Sequence, residues 1–600
     1  MSLGLPFDYP FREASGGGGG VVDSGVSPFL FECAIGGRGF MVDKKSQKFR
    51  RYSQPTQRPQ TDQGRRPGEQ TMSSEDLWPR AYVSFHRGAG QSSMELDDAD
   101  PYRYWKSQGL DPWTRGEVTL LNDTAVSRTS ANSNLQLFPL PTRLALTDYD
   151  TIRWFDGATW TSNTLATTVG KATTDGTYVY AACADGKIKR IAYPYAFSDA
   201  WTLSNVDMLV FAKGRLIAGA ANVLYDLKPG VAATAQTTIQ WTEWRWSAGC
   251  EGPKAIYAAG SQGDKSLIYR LPLKSDGTGL DAAVVAAPLP DGELVTSMAS
   301  YLGYVIVGTT KGVRFAVADD QGDLNLGSPI PTPAPVYCLE PQDRFVWFGW
   351  SNYDSGVTGL GRMDLREFIA SLTPAYASDL MYGSAGTVRS VVTYGGVRWF
   401  TIDGVGVIKE AATPVAEGHI ELSNTDYGIT DKKVAELIDL RNDGLKGAID
   451  IWLDVDKRGY APIATSNISG ATASSYRLAN QEGHLFQVKL VLTLGETAPV
   501  LRQVRLLSHP LPTRSAVFEL PLLVADTLDV FGSDEARDPL DDSSYLIGLV
   551  NDGRSVSLQM GNEAYSVYPS GYEWLPMSQS YDKTGWQGTL LIQLREVHDG

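Results

Sequence analysis

Histidines are the residues best able to move a proton near neutral pH, and this 600-residue chain has five: His86, His419, His484, His509 and His598. A catalytic histidine needs a serine, cysteine or carboxylate beside it, and a metal-binding one needs further ligands at short spacing. None of the five has such a neighbour pattern, so each is expected to cap or decorate the fold. The cysteines, Cys33, Cys183, Cys250 and Cys338, lie far apart. Without a Cys-x-x-Cys or Cys/His spacing they do not compose a zinc site. The sequence has no G-x-S-x-G elbow, H-E-x-x-H helix, phosphate loop or G-x-G-x-x-G turn after a strand.

Two acidic stretches, Asp319-Asp320-Gln321-Gly322-Asp323 and Asp454-Val455-Asp456, offer the oxygen ligands calcium prefers. Neither has the spacing of an EF-hand loop with its distal Glu, so solvated turns are expected. Phe155-Asp156-Gly157-Ala158-Thr159-Trp160 comes close to the S-x-D-x-G-x-T-W repeat of sialidases. It lacks the residue between Asp and Gly, occurs once, and comes with no assignable trio of arginines. A β-turn with a packing Trp is expected there. Glycosidase chemistry needs two facing carboxylates, and 68 acidic side chains nominate no particular pair. The expectation is a non-enzyme with no catalytic, cofactor-binding or metal-binding residue.

A net charge of −15 and a pI near 5.0 argue against a nucleic-acid partner. The local exception is Lys44, Lys45, Lys48, Arg50, Arg51, Arg58, Arg65 and Arg66, which read as a solvated, extended run more than a phosphate site. The opening residues carry no basic n-region or apolar h-region, and no run of about 18 apolar residues occurs. Neither secretion nor membrane insertion is expected. The chain should be made and held, reduced, in a cytoplasm.

The elements that could position chemistry are mostly short strands. Gly (61), Trp (15) and Tyr (28) are plentiful while long Ala/Glu/Lys/Leu runs are scarce, which favours β-structure over bundles. Residues 1–135 read as an extended arm. They hold the run Gly16–Gly20, a patch at Phe29, Leu30 and Phe31, and a Pro/Gln/Arg-rich stretch from Gln54 to Gln70. Such composition cannot offset chain entropy by itself. Yet Trp78, Tyr82, Phe85, Tyr102, Tyr104, Trp105 and Trp113 follow, so an ordered docking segment is expected.

Residues 136–412 carry a weak repeat of strand, Gly/Asp turn and strand. Clear copies start at Thr177, Arg215, Tyr304 and Val397, looser ones at Leu144, Ile256 and Val346. Anchors at Leu144, Val179, Leu216, Ile256, Val305, Val346 and Trp399 lie about 35 to 53 residues apart, the period of propeller blades. Cleaner alternation follows in 413–510, as at Phe486, Val488, Leu490 and Leu492. His509-Pro510-Leu511-Pro512 looks like a seam before 511–600, which contains an acidic loop from Ser533 to Asp542. The expected fold is therefore all-β: the arm, a β-propeller of about seven blades, a β-sandwich and a small β-rich C-terminal domain.

The most specific text runs from 61 to 124: Arg66-Pro67-Gly68-Glu69-Gln70, Leu77-Trp78, Gly88-Ala89-Gly90-Gln91, and Asp111-Pro112-Trp113-Thr114. This resembles the opening of minor tail proteins from long-tailed phages of actinobacteria, where these phrases occur in this order before a propeller-like region. Thr497-Ala498-Pro499-Val500-Leu501, Phe518-Glu519-Leu520-Pro521-Leu522 and Gly585-Trp586-Gln587-Gly588 are similar to the same group. The resemblance implies a structural protein of the virion tail tip, assembled in the host cytoplasm. Its implied partners are other tail-tip proteins, further copies of itself, and a host envelope glycan or receptor. The alternative is a tail-borne glycan hydrolase of propeller type.

Overall fold

The computed structural model describes residues 31–597 except 44–45, 56–76, 96–98, 195, 277–278, 355, 429–431, 512–513, 531–532, 562 and 577–586. Gly16–Gly20, Phe29, Leu30, Lys44, Lys45, the stretch 56–70, Gly585-Trp586 and His598 lie outside the described residues. What is described is almost all strand, with one helix, Pro539–Asp552.

Residues 136–414 form seven small antiparallel sheets, spanning 136–164, 169–202, 206–238, 245–288, 295–331, 339–382 and 388–414. The seventh has three strands of its own; its fourth is Asn122–Thr129, which pairs Thr129 with Gly406 and Asn122 with Pro414. The first strand of each sheet touches the first strand of the next, and that of the seventh touches that of the first. The contacts thus run in a closed circuit.

In six of the seven sheets the second strand is the most buried; in the sixth, Thr373–Tyr382 is as deeply buried as Phe345–Tyr353. Val179–Cys183, Arg215–Ala220 and Tyr304–Thr309 are buried along nearly their whole length. Strands covered on both faces read as continuous apolar runs, without alternation. The seven repeat anchors, Leu144 through Trp399, each fall in the second strand of a different sheet.

Two further sheets share one apolar cluster. One orders Tyr460–Ser466, Ala448–Val455, Phe486–Thr493, Glu417–Glu421 and Lys106–Gln108; the other orders Trp78–Tyr82, Leu501–Pro510, Lys433–Asn442 and Ala473–Gly483. Ile449, Ile451 and Leu490 from the first meet Ile438, Leu440 and Val504 from the second. The cluster continues into Phe315, Phe348 and Trp350 of the fifth and sixth sheets.

A last sheet has seven strands: Arg38–Phe40, Cys33–Ile35, Val556–Met560, Glu563–Pro576, Gly588–Glu596, Arg514–Val524 and Arg50–Pro55. The helix packs on it through Leu546. Its cap, Asp538, accepts from the amides of Leu540 and Asp541; Pro539 opens the first turn and Gly553 closes it in a left-handed conformation. The stretch expected as an acidic loop is therefore the strand Ser533–Ala536 followed by a helix start, where acids favour the N-terminal dipole.

Residues 33–129, expected as an arm, supply strands to four sheets formed mainly by later residues. Trp78, Tyr82, Phe85 and Tyr104 are at most 2% exposed there. A segment with too little apolar area for its own core gains burial by completing other edges.

Candidate functional site

The residues singled out in the sequence are spread over the structure. Burial holds His419 down at about 4. The His484 amide donates to Asp456 Oδ1 at 2.7 Å, and His509 Nε2 lies 3.9 Å from Glu436 Oε2. All four cysteines are buried and free; burial raises the Cys33 and Cys338 thiols to about 12. Asp319 accepts from the amides of Gln321 and Asp323, while Asp323 pairs with Arg270 at 2.9 Å. Asp454 accepts from Gly459 N–H. Asp156 closes a turn on the amides of Ala158 and Thr159, and Trp160 packs against Phe155 and Trp399. In the basic run, Lys48 pairs with Glu573 and Arg51 with Glu563, each at 2.8 Å. No three His, Cys, Asp or Glu side chains converge as a metal site among the described residues.

One histidine does enter a constellation. A cleft of about 350 Å³ opens where the arm meets the sixth sheet, lined by His86, Trp113, Thr114 and Arg115 on one side and Arg344, Asp364, Arg366 and Glu367 on the other. Ser84 Oγ accepts from Gly116 N–H at 2.9 Å and shares a hydrogen bond of 2.7 Å with His86 Nδ1, in which either atom can donate. On the other side of the ring, His86 Nε2 lies 3.9 Å from Glu367 Oε1. Burial is the largest influence on His86 and lowers its pKa below the usual value. A hydrolytic triad runs the other way, with serine yielding its proton to Nε2. Ser84 is also only 5% exposed, so it orients the ring and is not placed to attack a substrate.

The arginines are held as firmly. Arg115 pairs with Glu367 at 2.6 Å. Arg344 donates to the Trp113 carbonyl at 3.0 Å and reaches Asp364 at 3.5 Å. Beneath Trp113, Arg362 stacks on that ring, on Phe345 and on Trp347, and pairs with buried Asp379. The Trp113 indole N–H has no acceptor among the described residues.

A second polar grouping lies on the first strands of five of the seven sheets. Bulges interrupt them between Val169 and Lys171, Val206 and Met208, Trp246 and Ala248, Val295 and Ser297, and Val388 and Ser390. The extra residues are Gly170, Asp207, Ser247, Thr296 and Arg389. Arg245 Nε lies 3.8 Å from Asp207, and Arg389 pairs with Asp403 at 2.7 Å while covering the Tyr337 ring. Burial lowers Lys171 and raises Asp207.

Sequence reading missed the cleft because its halves lie far apart in the chain and no spacing links His86 to Glu367. No family model and no curated protein matches the sequence. Among solved structures, the chain is similar to the computationally designed Ika8 protein at 11% identity, with a TM-score of 0.34, over 49% of this chain and 99% of that one. It is also similar to BamB from Moraxella catarrhalis at 9% identity, with a TM-score of 0.32, over 48% of this chain and all (100%) of that one. For Sqt1 from Saccharomyces cerevisiae the figures are 10%, 0.33, 45% and 82%.

Proposed function

We propose that the closed circuit of seven sheets is a seven-bladed β-propeller, the two-sheet unit a β-sandwich, and the chain a non-catalytic structural protein of a phage tail tip. It assembles with other tail-tip proteins and with copies of itself, and contributes to attachment at the host surface. One observation carries the reading: within the segment that resembles phage tail proteins, the described residues from Leu77 onward tie the sheets together. The Gly88-Ala89-Gly90-Gln91 phrase seats on Tyr376, and Gln91 is buried against Ser423 and the Asp100 carbonyl. Trp113 of the Asp111-Pro112-Trp113-Thr114 phrase packs on Phe345. A chain so cross-tied is a rigid platform, and rigid platforms carrying exposed loops suit surface recognition. Density for this fold at the tip of a reconstructed virion tail is the expected result. Its absence from purified virions rejects the reading.

A further inference from the structure

We propose that the cleft between the arm and the sixth sheet binds an anionic group, a carboxylate or phosphate carried on a molecule about the size of one sugar residue. The inference rests on the attachment reading for the source of the ligand, a host envelope; the anion chemistry stands on the cleft alone.

Charge comes first. Of the residues lining the cleft, Arg115, Arg344 and Arg366 are the arginines and Asp364 and Glu367 the carboxylates, so with His86 neutral the lining itself carries one positive charge in excess; behind it, Arg362 is met by Asp379 and Asp111. Arg115 and Arg344 are the two paired arginines. Arg366, exposed at the rim, makes no ion pair among the described residues. A guanidinium fork matches carboxylate or phosphate oxygens two at a time. Next comes organisation. Ser84 holds the His86 ring by a 2.7 Å hydrogen bond at Nδ1, and the Trp113 carbonyl anchors Arg344, so these groups need little ordering when a ligand arrives. Size follows. At about 350 Å³ the cleft sits at the small end of ligand pockets, roughly 300–1,000 Å³.

Calorimetric titration of the full chain at low salt tests this with D-glucuronate, glucose 1-phosphate, inorganic phosphate and neutral glucose. The anionic probes should bind one to one and glucose should not. Arg344→Gln with Arg366→Gln should weaken binding by about tenfold or more, whereas Arg554→Gln, outside the cleft, should leave it unchanged. If the double variant fails to fold, Arg366→Gln alone, on an exposed side chain, carries the comparison. Glucuronate binding alone assigns the site to carboxylates, and phosphate binding alone to phosphates; both support it. No anionic probe binding, or affinity unaltered in the variants, overturns it. Binding by a protein that proves absent from virions keeps the site and removes the attachment reading.

Discussion

The amide of Ala89 donates to the carbonyl of Tyr376 at 2.7 Å. This bond joins the arm to the last strand of the sixth sheet, and the glycines on either side make it reachable. Gly88 and Gly90 have φ of +77° and +94°, and a Cβ on either would run into Tyr376.

Gly88→Val should therefore be costly. The left-handed backbone costs a branched residue about 1–2 kcal/mol, and the clash with a main-chain carbonyl adds roughly 1–3 kcal/mol. Urea unfolding should show a lower midpoint by that sum. Gly571→Ala, with no positive φ and open space around it, should change stability by less than about 0.5 kcal/mol. Equal midpoints for the two variants would show that the arm is not seated as described.

Arg80 and Glu95 form an ion pair at 2.7 Å, with side chains 6% and 7% exposed. Removing one partner of a buried pair strands the other, at a cost of about 3–5 kcal/mol. Glu95→Ala should fall in that range by denaturant titration. Arg80→Met combined with Glu95→Leu should cost much less, because no charge is left buried. A double variant as unstable as the single one would mean that shape, not charge, dominates there.

Glu340 supplies a pH dependence. Burial raises its pKa from 4.5 to about 7, partly offset by the Thr393 amide and Arg398. Since the folded value exceeds the unfolded one, protonation favours the folded state. The group's penalty grows as pH rises from about 4.5 and is complete above about 7. Glu340→Gln removes it. The variant should match the parent near pH 4.5 and exceed it at pH 8 by on the order of 1–3 kcal/mol. Melting curves across that range check this, and a difference that does not grow with pH contradicts it.

The central hairpins of the seven sheets were legible because their second strands are covered on both faces, leaving apolar runs at Val179, Ile256 and Val305 that punctuate the sequence; the outer strands were not. The helix at Pro539 was signalled by Asp538-Pro539 and the acids after it, but its start, up to Asp542, was read as an acidic loop and the rest of its 14 residues as part of a β-rich domain. Partners of the early strands were not legible. Cys33 pairs with Met560, and Trp78 with Ser508, and pairing over such separations leaves no local periodicity. The cleft was hidden for the same reason. His86 acquires its bond to Ser84 two residues away, but its neighbour Glu367 comes from another sheet.

The same long-range pairing completes the last sheet of the circuit. Asn122–Thr129 alone completes the seventh sheet, and little of its stabilisation is apolar, since its side chains are half-buried or exposed. What it supplies is the ladder to Gly406–Pro414, together with side-chain ties on both sides. Thr124 Oγ1 donates to the Met381 carbonyl at 3.1 Å, and Ser127 Oγ accepts from Trp160 Nε1 at 3.2 Å. Without the strand, Gly406–Pro414 becomes a free edge, which invites pairing with another chain. Val126→Pro interrupts the ladder opposite Ile408. Hydrogen exchange should accelerate across Gly406–Pro414 while Phe486–Thr493, in a different sheet, keeps its protection. Light scattering should detect dimers or larger species, and a peptide of residues 122–129 in excess should return the variant to monomer. Unchanged exchange at 406–414 in a monomeric variant would show that the circuit holds without its borrowed strand.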